Sequence, residues 1–116
     1  MRARYRVWLE EDGPVFGDGL AELLGAVAEL GSLRAAAARM GMSYRAAWGR
    51  VRRSEDRLGW RLVRYQVGGR AGGGAAITPR GQHFLAGYAD FRRRLDAEVE
   101  AAFAASGLGG LVRGGG

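Results

Sequence analysis

The chain has 116 residues, the size of one ordinary globular domain, and a formal net charge of +6 from 18 basic and 12 acidic residues. Every basic residue is arginine; lysine, cysteine and asparagine do not occur, and His83 is the single histidine. Disulfides, thiolate metal sites, thiol nucleophiles, Schiff-base catalysis and the lysine of a phosphate-binding loop are excluded by that inventory.

The charge is concentrated. Between Ser32 and Gln82 eleven arginines stand against two acids, Glu55 and Asp56, a net of +9, while the rest of the chain carries seven arginines and ten acids. A basic block between slightly acidic ends points to a polyanion-binding face. A solvated arginine-rich surface has the same composition, so the charge needs structural support. The first residues, MRARYRVWLE, lack the apolar core of a signal peptide. The greasiest stretch, LAELLGAVAEL, is broken by Glu22 and Glu29 and is too short to span a bilayer. A cytoplasmic protein with no membrane association is expected.

Residues 3–10 alternate, with Tyr5, Val7 and Leu9 on one side and Arg4, Arg6 and Trp8 on the other, which predicts a half-exposed strand. Glu11-Asp12-Gly13-Pro14 reads as a turn, with Pro14 stopping any continuation. Asp18 is placed to cap a helix over 19–30, in which Leu20, Leu23, Leu24, Val27 and Leu30 recur at helical spacing and Gly31 closes the end. Ser32 is placed to cap an alanine-rich helix over 33–40. Gly41-Met42 turns the chain, and Ser43 caps a third helix over 44–58, closed by Gly59. Helix, glycine-containing turn, helix is the helix-turn-helix pattern, though an ordinary helical hairpin shares it.

The third helix discriminates. At 100° per residue, Ala47, Val51, Ser54 and Leu58 gather on one side and Arg45, Gly49, Arg52 and Arg53 on the other, with Trp48 at the boundary. A recognition helix in a major groove needs both faces, one to fix it and one to supply donors. Gly49 costs about 1 kcal/mol in mid-helix relative to alanine, and close approach of another backbone is one reason to carry it. Residues 60–78 turn to strand chemistry around the glycine-rich GGRAGGG, a hairpin with Arg70 at its tip. The loop lacks the G-K-[ST] of a nucleotide-phosphate cradle. Thr78-Pro79 opens a last helix to about residue 105, striped with Phe84, Tyr88, Phe91, Leu95, Val99 and Phe103. Folding back on the domain's own core accounts for the first two turns of that stripe. The remainder is expected to meet a second copy in a homodimer. Residues 106–116, GLGGLVRGGG after a serine, have the composition of a flexible tail, leaving 1–105 as the folded domain.

The stretch GSLRAAAARMGMSYRAAWGRVRRSEDRLGWRLV resembles the helix-turn-helix shared by LysR-type regulators and by the DNA-binding domain of the ModE-type molybdate-responsive regulators. The following VGGRAGGGAAITPRGQHFL, and the aromatic pair in Ser43-Tyr44-Arg45-Ala46-Ala47-Trp48, are more similar to the ModE type, as is the PVFGDG turn. The likeness runs over about residues 3–103. It implies a mainly α fold with small β elements, a winged helix-turn-helix with a long C-terminal dimerisation helix, and double-stranded DNA as partner. ModE-type regulators carry molybdate-binding modules after the long helix, and this sequence ends at Gly116, so those modules are expected to lie outside it. Whether molybdate or tungstate is a ligand stays open at this point, and no cofactor or metal is expected.

On this reading Ser43, Tyr44 and Arg45 reach base edges, with Arg45 able to grip a guanine through two hydrogen bonds. Trp48 either packs under the helix or meets a sugar or thymine methyl. Arg52 and Arg53, with Ser32 and Arg34, are suited to phosphates, and Arg70 to a narrow minor groove. A non-specific architectural DNA-binding protein and a winged-helix protein-interaction module are the alternatives. An enzyme has least support, since His83 has no nucleophile and orienting group beside it in any recognisable set.

Overall fold

The computed structural model describes residues 1–67 and 74–113. Contacts divide the chain into two compact units, one formed by Val7–Leu85 and the other by Met1–Arg6 with the chain from Ala86 onward.

In the first unit, β1 (Trp8–Glu10) pairs antiparallel with β2 (Pro14–Gly17). The alternation of residues 3–10 is real in burial, but only the last three residues are strand. Pro14 begins a strand instead of merely stopping one. It sits at the first position of β2, opposite Glu10, where a missing N–H does least harm. The tight connection depends on Asp12 and Gly13, both at positive φ (54° and 120°).

Helix α1 (Asp18–Leu30) starts one residue earlier than its apolar spacing predicts. Gly17 occupies the cap position in extended conformation, and Asp18 is the first helical residue, its charge facing the positive end of the helix dipole. Helix α2 (Leu33–Arg39) and helix α3 (Tyr44–Leu58) have the caps read from sequence: Ser32 Oγ accepts from Ala35 N–H at 3.1 Å, and Ser43 Oγ from Ala46 N–H at 3.0 Å. Gly31 and Gly59 close α1 and α3 in the left-handed region, at φ 69° and 81°. Leu23, Leu24 and Val27 of α1, Leu33, Ala36 and Ala37 of α2, and Ala47 and Val51 of α3 are buried together with Leu62, Val63 and Ile77. The alanines let the helix pair approach closely, and each fully buried leucine or valine contributes on the order of 1.5–3 kcal/mol.

The wing strands are β3 (Val63–Gln66) and β4 (Gly74–Ile77), antiparallel in the register Val63↔Ile77 to Gln66↔Gly74. They occupy less than the 60–78 expected of the hairpin, and Arg70 at its tip lies outside the described residues. Ala75 N–H donates to Gly31 O at 2.9 Å, tying β4 to the end of α1.

Helix α4 (Pro79–Ser106) opens as predicted: Thr78 Oγ1 accepts from Gly81 N–H at 3.0 Å and donates to Arg61 O at 2.7 Å. Phe84 closes the core of the first unit, edge-on to Phe16 at 4.8 Å and to Trp60 at 5.6 Å. In the second unit Tyr88 is buried, Phe91 is exposed, and Leu95, Val99 and Phe103 are half-buried. The segment after α4 has helical backbone over Leu108–Arg113, forming α5. Ser106 Oγ accepts from Leu108 N–H at 3.1 Å and Gly107 O from Leu111 N–H at 3.2 Å, so local capping shapes a stretch whose glycine content reads as a loose end.

Candidate nucleic-acid interface

Helix α3 buries Ala47, Val51, Ser54 and Glu55, and turns its arginines outward. Arg34, Arg45, Arg50 and Arg53 have no carboxylate partner among the described residues, and Arg52 has only a loose approach to Asp56, at 3.7 Å. Four cations held on a rigid, capped pair of helices without counter-charges among the described residues give the domain a standing positive surface on more than one side of α3.

Several residues picked out by sequence converge. Ser32, Arg34, Tyr44 and Trp48 line one cavity of about 290 Å³ where α2 and α3 meet the base of the wing, whose walls include Tyr65 and Gln66. The Arg34 guanidinium lies 4.4 Å above the centre of the Tyr44 ring, a cation–π contact that steadies both side chains at the mouth of the cavity. Trp48 is 45% exposed, so its ring is presented at the surface and only partly packed. Ser43 and Ser32 each accept one hydrogen bond from a backbone amide, and each hydroxyl retains a hydrogen to donate. Arg45 stands exposed beside them at the amino end of α3.

Arg53 lies on another side of the helix, folded back toward the backbone. A Cβ added at Gly49 would come 3.1 Å from Arg53 Nη1, so the group that uses the space at Gly49 within the chain is a guanidinium. Arg52 is half-buried and Arg53 exposed.

Besides Arg50, two residues of consequence escape the sequence reading. Glu55 is 5% exposed, and its Oε2 accepts from Leu62 N–H at 2.8 Å and Val63 N–H at 3.1 Å. The carboxylate therefore pins the start of β3 to the end of α3 and fixes the wing's origin relative to the recognition helix. Its spacing, four residues after Val51 on the buried side, is the available signal. Tyr65, half-buried in the cavity wall, has its phenol pushed up to about 12 by burial, with the negative charge of Glu55 adding to the effect.

A helix-turn-helix followed by a two-stranded hairpin is a winged helix-turn-helix domain, and that is the class this geometry defines. More particularly, the chain belongs to the bacterial regulatory helix-turn-helix proteins of the lysR family, whose pattern matches residues 20–82. It is 42% identical over 82 residues to the molybdenum-pterin-binding protein MopB of Rhodobacter capsulatus, covering 71% of this chain and 30% of that protein. It is 35% identical over 72 residues to the molybdenum transport protein ModE of Herbaspirillum seropedicae, covering 62% and 27% respectively. The chain thus spans less than a third of the length of the curated relatives it matches. Among solved structures, the CbnR DBD–DNA complex superposes with a TM-score of 0.60 at 25% identity, over 76% of this chain and 95% of that one. Vibrio fischeri DarR, solved in complex with DNA, shares the fold at a TM-score of 0.56 and 22% identity, over 77% of this chain and 29% of that one. Among the described residues no helix is long and apolar enough to cross a membrane.

Proposed function

We propose that this protein is a cytoplasmic transcriptional regulator that binds double-stranded DNA as a homodimer, with α3 in the major groove of each half-site. The observation that carries the reading is that Arg45 and Arg53, without a carboxylate partner among the described residues, stand on a helix whose opposite face is locked into the core. The likeness to a domain solved on DNA supports it. Ser43, Tyr44 and Arg45 read base edges. Trp48, half out of the protein, meets a sugar or thymine methyl, while Ser32, Arg34, Arg52 and Arg53 hold phosphates, and Arg70 reaches from the wing. Phe91, Leu95, Val99 and Phe103 supply the pairing surface. Phe84 and Tyr88, expected from the stripe to share in it, are already covered within the monomer and play a lesser part.

The test is competition between a selected operator and a scrambled duplex. Arg45→Ala is expected to lose roughly 10- to 100-fold of the preference, the equivalent of about 1–3 kcal/mol for one base contact. Arg53→Ala is expected to weaken both duplexes alike and to reduce the slope of log affinity against log salt by about 1. If Arg45→Ala leaves the preference unchanged, the base-reading assignment fails; a preference near unity in the unmodified protein favours the architectural reading.

The curated relatives carry molybdenum in their names, which raises an oxyanion as a ligand of this protein. A tryptophan fluorescence titration with molybdate, tungstate and sulfate decides it. A saturable, molybdate-selective response assigns sensing to this chain, and no response assigns it to another chain or to none.

A further inference from the structure

A second cavity, of about 210 Å³, lies on a different side of α3, between it and the β1–β2 hairpin. Its walls are chemically divided. Trp8, Phe16 and Leu20 make one side apolar, and Arg50, Arg53 and Ser54 make the other polar; none of the lining residues is acidic. Trp8 is held in place as a wall, because its indole N–H donates to Glu10 Oε1 at 2.7 Å. Arg50 lies over the first turn of α1: a Cβ added at Gly19 would stand 2.8 Å from its Nη2, so glycine at that position leaves room for the guanidinium. Ser54 is 3% exposed, and its hydroxyl is the one buried side-chain polar atom without a hydrogen-bond partner among the described residues. Native proteins rarely leave such a group unanswered. Here Ser54, whose covered hydroxyl has no partner among the described residues, lines the same space as two guanidiniums that have no carboxylate partner among them.

We infer that this cavity binds a small organic anion, a single carboxylate on a compact apolar body, with the carboxylate taken by Arg50, Arg53 and Ser54 Oγ and the body laid against Trp8, Phe16 and Leu20. An inorganic oxyanion answers the polar wall and leaves three apolar side chains unused. An uncharged body does the reverse. Sites for drug-sized ligands run from about 300 to 1,000 Å³, so this smaller volume limits the body to roughly a single ring or a short branched chain. The inference stands on the cavity alone and does not depend on the DNA-binding reading.

Phenylacetate is a suitable probe, with benzyl alcohol as the body-only arm and inorganic phosphate and molybdate as charge-only arms, titrated calorimetrically into the full chain. Saturable phenylacetate binding is expected, at least tenfold tighter than any other arm. The indole N–H resonance of Trp8 should move on binding while that of Trp60 stays in place. Ser54→Ala, which removes an unpaired buried hydroxyl and so leaves the melting temperature unchanged or raised, should weaken binding about tenfold, the usual worth of a hydrogen bond to a charge. Arg50→Gln should weaken it at least as much, and Arg64→Gln, on the exposed side of β3, should leave it intact. No saturation by about 10 mM, tenfold above a millimolar Kd, overturns the proposal. So does phosphate or molybdate binding as tightly as phenylacetate, or a full-affinity Ser54→Ala variant.

Discussion

The two units of the chain solve opposite problems with the same residue types. In Val7–Leu85, the apolar side of α3 is engaged in the core, while Arg45 and Arg53 have no carboxylate partner among the described residues and Arg52 approaches Asp56 only loosely. In the second unit the arginines of α4 are answered, and its apolar side chains beyond Tyr88 are not. Arg92 pairs with Asp96 at 3.1 Å, and Arg93 and Arg94 share Asp90 at 2.8 Å each. Tyr5 adds a further tie, its hydroxyl donating to Asp96 and accepting from Arg92. Along the same helix Phe91 is 39% exposed and Leu95, Val99 and Phe103 are only half covered. A surface of unpaired cations gains by meeting a polyanion; a surface of neutralised charges and open apolar side chains gains by meeting another apolar surface. The contrast lies in pairing and burial, since arginine is plentiful in both units.

The strongest way to break this contrast is to charge the second surface. Leu95→Asp combined with Val99→Asp is expected to raise the dimer dissociation constant about a thousandfold, from roughly 1 kcal/mol of apolar burial lost at each of the four half-buried side chains of the pair. Sedimentation equilibrium reads the effect, and unchanged helical circular dichroism shows that the fold survives. If the double variant and the parent are the same mass at micromolar concentration, the open apolar stripe is not a pairing surface.

Next in size is the buried charge of the first unit. Glu55 is a buried carboxylate among outward arginines, and it is spent on two backbone amides instead of on any of them. Glu55→Ala strands both N–H groups and is expected to cost about 3 kcal/mol of unfolding free energy, from roughly 1–3 kcal/mol per buried unsatisfied group. Glu55→Gln keeps one acceptor oxygen and should lose less than half of that. Denaturant unfolding with an unchanged m-value is the check. Equal losses from both variants would mean the charge, and not the acceptor geometry, holds the wing.

How much of each surface is visible in the sequence follows from the range of the forces involved. Ser32, Ser43, Gly31, Gly59 and Thr78-Pro79 were legible because each satisfies helix-end groups within three or four residues of itself. Arg45, Arg52 and Arg53 were legible because helical periodicity alone separates them from Ala47 and Val51, whereas Arg50, which that periodicity places near the apolar side, was not. Glu55 was not, since its partners at 62 and 63 are fixed by where the chain returns after Gly59. Strand β2 was hidden for a similar reason: it exists by pairing with β1, and Pro14 reads locally as a stop. Phe84 and Phe91 look equivalent on the helical stripe, and only Phe16 and Trp60, distant in sequence, make one a core residue.

A pH titration tests a smaller element of the first unit. The Tyr65 phenol is held protonated up to about 12, against about 10 in an unfolded chain, by burial and then by the nearby Glu55 charge. The folded state therefore binds this proton more tightly, and its contribution is complete below pH 10 and lost as pH rises through 12. Tyr65 is half-exposed, so solvent screening reduces the full shift to about 1 kcal/mol. Stability should fall by that amount between pH 9 and pH 12, and Tyr65→Phe should abolish that part of the fall.

Gly49 carries the smallest expected effect and the sharpest discrimination. Alanine there should stabilise the domain by about 0.5–1 kcal/mol, because glycine in mid-helix costs conformational entropy. Among the described residues the nearest obstacle is Arg53 Nη1, 3.1 Å from the added Cβ, and the end of a long side chain moves cheaply. A helix selected for stability alone would not keep glycine at that position. If α3 lies against a DNA backbone on that side, Gly49→Ala should raise the melting temperature and weaken DNA binding severalfold in the same protein, without changing the Arg45-dependent preference between duplexes. A variant that is both more stable and fully DNA-competent would place the contact surface nearer to Tyr44 and Trp48, and would leave Gly49 with no role beyond accommodating Arg53.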